Sequence, residues 1–161
     1  MAQRPRTPDL ETQRAAMRKL DFLVGKWTGE ARISRDQGET TELLQTEKAG
    51  YKLDGLILVI EGIGRANSDG VPVLQAFGVV SYEEESKIYR MRAFNDGRFL
   101  ETVVKHLEVG KGMTWGFELG EIKMNSVMRI NERNEWTELH DISIGSQSAK
   151  RLMEVTVRRQ R

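Results

Sequence analysis

The chain has no cysteine, which removes disulfides, thiol nucleophiles and thiolate metal sites together and leaves the redox compartment unmarked. It also lacks an excess of either charge. Its 25 Lys and Arg nearly cancel 24 Asp and Glu, with the signs interspersed, which argues against a general polyanion-binding surface and a nucleic-acid partner. The basic end, Arg158-Arg159-Gln160-Arg161, reads as a solvated tail. Two histidines, His106 and His140, are too few and too isolated for a histidine-rich metal site, and Glu138 and Asp141 beside His140 do not complete a ligand set. No apolar run approaches the ~18 residues of a membrane span; the longest, Leu56 to Ile60, is strand-sized. Met1 to Arg6 is polar and leads into no apolar h-region, so it is no signal peptide. The reading is a soluble cytoplasmic protein, and a trimmed secreted form would look the same.

Catalytic motifs are equally sparse. No serine sits in a Gly-x-Ser-x-Gly elbow. Gly62-Ile63-Gly64 and Gly110-Lys111-Gly112 lie in strand or turn rather than ahead of a helix, so they are not phosphate loops. Glu61, Glu118 and Glu121 read as outward or rim residues rather than an acid pair.

What the chain does contain is one change of period. Thr7-Pro8-Asp9 reads as a helix start, with Thr7 as cap and Pro8 at the first helical position. Leu10, Ala16, Met17, Leu20, Leu23 and Val24 then fall on one face at three- and four-residue spacings, and Gly25 stops the helix. From Lys26 on the period is two: Trp27, Gly29, Ala31 and Ile33 point one way, Lys26, Thr28, Glu30 and Arg32 the other.

Turn signals then recur at near-regular intervals. They are Gln37-Gly38, Asp54-Gly55, Asn67 to Gly70, Glu83 to Ser86, Asp96-Gly97, Gly110 to Gly112, Gly120-Glu121, Asn131 to Asn134 and Gly145 to Ser148. They delimit about ten short strands with no second helix among them. Short connections favour an up-and-down meander, and closing it removes two exposed edges. The expected fold is therefore all-β: a closed antiparallel up-and-down barrel of about ten strands, one end covered by the N-terminal helix. Residues 1–7 read as a flexible tail and 8–161 as a single domain, with the helix over about 8–23 and the barrel over about 26–158.

Gly25-Lys26-Trp27-Thr28-Gly29-Glu30-Ala31 resembles the Gly-x-Trp-x-Gly-x-Gly opening of nitrobindins and of a related, uncharacterised bacterial lipocalin-like (calycin-type) domain family. Val80-Ser81-Tyr82-Glu83 with Tyr89, and the last hairpin around Gly145-Ser146, are similar to segments of the latter. The resemblance covers nearly the whole chain in layout and more distantly takes in fatty-acid-binding proteins. It implies a lipocalin-like barrel with a ligand cavity and, for the bacterial family, no established activity. Nitrobindins hold haem through a histidine near the start of the final strand. The matching positions here are Arg151-Leu152-Met153-Glu154, and arginine offers iron no lone pair. The third glycine of the opening is Ala31. No cofactor is therefore expected.

The more apolar parity of each strand indicates which face lines the barrel. Trp27, Met91, Trp115, Phe117, Met124 and Met128 fall on it and are candidate ligand-binding walls. Any single methionine reads first as core filling, while the set reads equally as core or as part of a promiscuous apolar pocket. Strands three, four and six are apolar on both parities and remain open. In strand nine, Trp136, Glu138, His140, Ile142 and Ile144 share a parity, and Arg151 lies on the inward parity of strand ten. Glu138, His140 and Arg151 are thus candidate polar handles near the mouth, with a structural ion pair as the alternative.

The leading expectation is non-enzymatic binding of a small, largely apolar or amphipathic ligand. Two readings stand beside it. One is an enzyme with His140 as base and Arg151 steadying negative charge. The other is an interaction domain, joined as a homodimer through an outer face of strands three and four.

Overall fold

The computed structural model describes residues 6–35 and 38–161. The turn expected at Gln37-Gly38 and the N-terminal tail therefore fall partly outside the described residues. The helix begins two residues later than Thr7 and Pro8 suggest. Asp9 is the cap: its Oδ1 accepts from the Thr12 backbone N–H at 3.0 Å and its Oδ2 from the Thr12 hydroxyl at 2.7 Å. A short acidic side chain satisfies the open N–H groups of the first turn and complements the helix dipole, so it outcompetes Thr7. The helix α1 spans Leu10–Met17 and tightens into a 3₁₀ segment over Arg18–Leu23. Gly25 then turns the chain with φ +137°, a value that side chains rarely adopt.

Ten strands follow: β1 (Gly25–Ser34), β2 (Thr40–Lys52), β3 (Ile57–Ala66), β4 (Pro72–Glu83), β5 (Ile88–Asn95), β6 (Arg98–Glu108), β7 (Gly112–Leu119), β8 (Ile122–Ile130), β9 (Glu135–Ile144) and β10 (Lys150–Arg159). Each pairs antiparallel with its sequence neighbours, and β1 pairs with β10 to close the barrel. The closed antiparallel barrel with an N-terminal helix is the expected architecture. The turns work as their residues predict. Asp96 and Gly97, for example, both take positive φ, which a two-residue hairpin requires.

The register settles the strands whose parity was ambiguous. Residues directly opposite in an antiparallel pair share a face, so Trp27 opposite Glu47, and Glu47 opposite Gly62, carry the inward face around the sheet. Leu58 and Ile60 face in from β3, Val80 and Leu74 from β4, Val104 and Thr102 from β6. Strand β2 turns Leu43, Gln45, Glu47 and Ala49 inward, and all four are buried.

The helix seals one end. Met17, Leu20 and Leu23 are fully buried in a core with Trp27, Leu58, Val80, Tyr89, Met113 and Trp136. Each such side chain contributes about 1.5–3 kcal/mol by leaving water. Two tyrosines of the barrel rim take up carbonyls of the helix. The Tyr89 hydroxyl donates to the Ala16 carbonyl at 2.7 Å, and the Tyr51 hydroxyl lies 2.7 Å from both the Met17 carbonyl and Asp21 Oδ1. Burial pushes the Tyr89 hydroxyl up to about 12, so it stays a donor at any physiological pH. Among the described residues no helix is long and apolar enough to cross a membrane.

Candidate functional site

The two ends of the barrel differ in exposure. At the helix end the inward residues are sealed: Trp27 is 2% exposed, its indole N–H donates to the Leu23 carbonyl at 2.9 Å, and its ring meets Trp136 edge-on at 5.5 Å. Arg159 stacks on the other side, 4.1 Å from the ring centroid. At the opposite end Ile33, Leu74, Trp115, Phe117, Met124, Ile142 and Met153 face inward by register yet stay half-buried. These side chains form an apolar, partly exposed rim at that end.

Between floor and rim lies a band of polar side chains. Glu138 and His140 are two apart on β9 and so share the inward face. Trp136 Nε1 donates to Glu138 Oε1 at 2.7 Å, His140 Nε2 lies 2.9 Å from Glu138 Oε2, and Ser126 Oγ lies 2.7 Å from His140 Nδ1. With the carboxylate accepting, Nε2 carries a hydrogen, and the Ser126 hydroxyl can pair with Nδ1 as donor or acceptor. Trp115 leans edge-on toward the imidazole at 6.1 Å. Glu138 and His140 retain 14% and 16% side-chain exposure, so solvent coming through the mouth reaches them.

The other half of the band comes from β2. Gln45 Nε2 donates to Glu47 Oε1 at 2.7 Å, while Gln45 Oε1 is buried and has no partner. Burial first, and the Glu138 carboxylate second, push the Glu47 carboxyl well above the usual carboxylate range; the Gln45 donor opposes them. Room for both side chains comes from β3. A Cβ on Gly62 would come 2.8 Å from Glu47 Oε2, and one on Gly64 2.8 Å from Gln45 Oε1.

Of the residues expected to line a pocket, Trp115, Phe117 and Met124 are partly exposed at the end away from the helix. Trp27, Met91 and Met128 are buried core. Glu138 and His140 face inward, His140 in register with Ser126 and Met153. Arg151 is a correction. The expected inward parity assumes unbroken alternation, but a β-bulge lies between Arg151 and Met153: Met153 pairs with His140 while Arg151 pairs with Asp141. The extra residue, Leu152, reverses the face. Arg151 points outward, bonding Asp141 at 2.5 Å and Glu154 at 2.6 Å, and takes no part in the interior group.

Gln45, Glu47 and Ser126 escaped the sequence reading. Ser126 has a parity signal, since it lies between Met124 and Met128. The β2 pair has only an indirect one, the glycines two apart on β3. Among the described residues no cluster of three or more His, Asp or Glu side chains is placed to hold a metal ion. The positions matching the haem-ligating segment do not fit haem either, because they place an ion-paired arginine on the outer face.

His106, the second histidine, faces the helix end. It meets the Tyr89 ring edge-on at 4.9 Å, and burial lowers its pKa. The outer face of β4 to β6 carries Phe77, Phe94 and Phe99 side by side, all exposed, beside a cleft of about 360 Å³.

No family model and no curated protein matches the chain. A solved structure does. The crystal structure of Rv2717c from M. tuberculosis is similar with a TM-score of 0.71, covering 91% of this chain and 98% of that one at 15% sequence identity. At that identity the likeness is one of fold.

Proposed function

We propose that the protein is a binding module of lipocalin-like type that takes a small, largely apolar ligand through the open end of its barrel. The observation that supports this reading is the contrast between the two ends. An apolar rim that stays solvent-accessible leads down to partly exposed Glu138 and His140, whereas the helix end is sealed. A few placed polar groups under apolar walls are what small-molecule sites share. Trp115, Phe117, Met124 and Met153 would hold the tail, and the polar band would meet the head. The earlier resemblance to lipocalin-like domains fits this reading. Native mass spectrometry of the purified protein tests it, together with displacement of a neutral fluorescent probe by straight-chain lipids. Saturable one-to-one binding that is weakened by Phe117→Asp is expected; absence of any saturable binding would overturn the reading.

One observation favours an enzyme instead: the hydrogen-bonded chain Ser126–His140–Glu138 has the residue types of a hydrolase relay. Ser126 is only 1% exposed, so the chain is better suited to holding the imidazole than to presenting a nucleophile. The enzymatic reading then rests on His140 alone as a base. The phenylalanine row on the outer face is the corresponding observation for an interaction domain, and light scattering showing a monomer at high concentration would remove it.

A further inference from the structure

The polar band is rich in acceptors and short of donors. Apart from the proton on Glu47 itself, each donor group has a partner: the Trp136 N–H and His140 Nε2 with Glu138, the Ser126 hydroxyl with His140, and the Gln45 amide with Glu47. On the acceptor side, Gln45 Oε1 is unpartnered although Gln45 is 1% exposed. Glu47 Oε2 has no hydrogen-bond donor among the described residues, only the bare backbone of Gly62 beside it. A buried acceptor without a donor costs about 1–3 kcal/mol, so the group is incomplete as it stands.

The charges point the same way. Glu47 and Glu138 both occupy inward positions, on strands separated by β10 and β1, and the second disfavours ionisation of the first. No cation lies between them. Among the described inward positions, cations occur only at the two extremes, Arg98 and Lys150 at the rim and Arg159 at the floor. Arg159 is committed to the Phe22 and Val24 carbonyls. A fatty-acid carboxylate reaching this band would meet the Glu138 carboxylate and an orphan amide oxygen, both of the wrong polarity.

We infer that the ligand's head group is a hydrogen-bond donor carrying positive charge, an alkylammonium or a similar cationic amphiphile, received by Glu47 and Gln45 of β2 opposite Glu138 of β9. The cation supplies the missing donor to the orphan oxygen. It also stands between the two carboxyl groups, which lets Glu47 ionise on binding. The unbranched tail extends back through the half-buried rim.

This inference rests on the barrel-binding reading above, and the experiment separates the two. Isothermal titration calorimetry at neutral pH compares dodecylamine, dodecanol and dodecanoate, which share one tail and differ in the head. The amine should bind at least about tenfold tighter than the alcohol, as a charge-assisted hydrogen bond would give, with dodecanoate weakest. Glu47→Gln should abolish the preference, so that amine and alcohol bind this variant with the same affinity. Gln45→Leu should weaken amine and alcohol together. Equal affinities for the three heads, or a preference for dodecanoate, would overturn the cationic head while leaving apolar binding in place. Equality would assign Gln45 Oε1 to a buried water. Failure of all three chains to bind would overturn both readings.

Discussion

Gly62 of β3 sits directly across from Glu47 of β2, and the absence of its side chain is what makes room for the buried carboxyl. Adding a methyl group at residue 62 places it 2.8 Å from Glu47 Oε2. Gly62→Ala should therefore destabilise the protein by about 1–3 kcal/mol, the usual penalty of overpacking. Removing the obstructing side chain should restore much of the loss. In urea titrations of the two single variants and Gly62→Ala/Glu47→Ala, the double variant should be more stable than additivity allows. Strict additivity would show that the two residues do not oppose each other.

Glu47 also sets a pH dependence. Its folded-state pKa is raised, by burial and by Glu138, so the folded protein holds that proton more tightly than the unfolded chain. The corresponding stability is fully present below the ordinary carboxylate value of 4.5 and is lost as pH rises through the folded value. The groups facing Glu47 include Glu138 and His140 of β9, and both remain in Glu47→Gln. The difference between wild type and this variant thus isolates Glu47. The two should melt alike near pH 4, and the variant should melt higher at pH 7 to 8, by about 2–4 °C for each kcal/mol gained. Thermal denaturation across that range checks it; a variant less stable at pH 8 than wild type would count against an unpaired buried acid.

Trp27 fastens the helix, the floor and the seam together. Its indole bonds Leu23, its ring meets Trp136, and Arg159 stacks on it. Trp27→Ala should cost about 3–5 kcal/mol, measured by urea denaturation. Hydrogen exchange should show α1 losing protection before the strands, because the helix makes its main contact at this floor.

Arg151 provides the contrast. It lies on the outside and is partly solvated, so Arg151→Ala should change stability by about 0–1 kcal/mol and leave interior ligand affinity untouched. A tenfold loss of binding in this variant would mean that the bulge at Leu152 is misplaced and that Arg151 faces inward after all.

At the seam of the barrel, Gly29 is closed in by the backbone of β10. A Cβ there would fall well inside contact distance of the Thr156 carbonyl oxygen. A carbonyl held in a ladder cannot swing aside like a side chain, so Gly29→Ala should prevent closure of β1 on β10. Loss of cooperative unfolding by circular dichroism is the expected result.

The sequence by itself determined the architecture. A three-to-four residue period up to Leu23, a two-residue period from Lys26, and a turn signal every ten residues or so leave an antiparallel meander that closes on itself. These are local properties, written in neighbouring residues. It also placed Trp27 on the inner face and Glu138 with His140 on one side of β9, because parity within one unbroken strand is local too. Only the tertiary structure decided which partners those residues meet. Glu47 reads as an ordinary surface charge until the register sets it opposite Gly62, and Gln45 until it lies opposite Gly64. Arg151 reads as interior until a single inserted residue reverses its face. Register and bulges are set by the sum of contacts between strands distant in sequence, and those contacts decide which polar groups the barrel encloses.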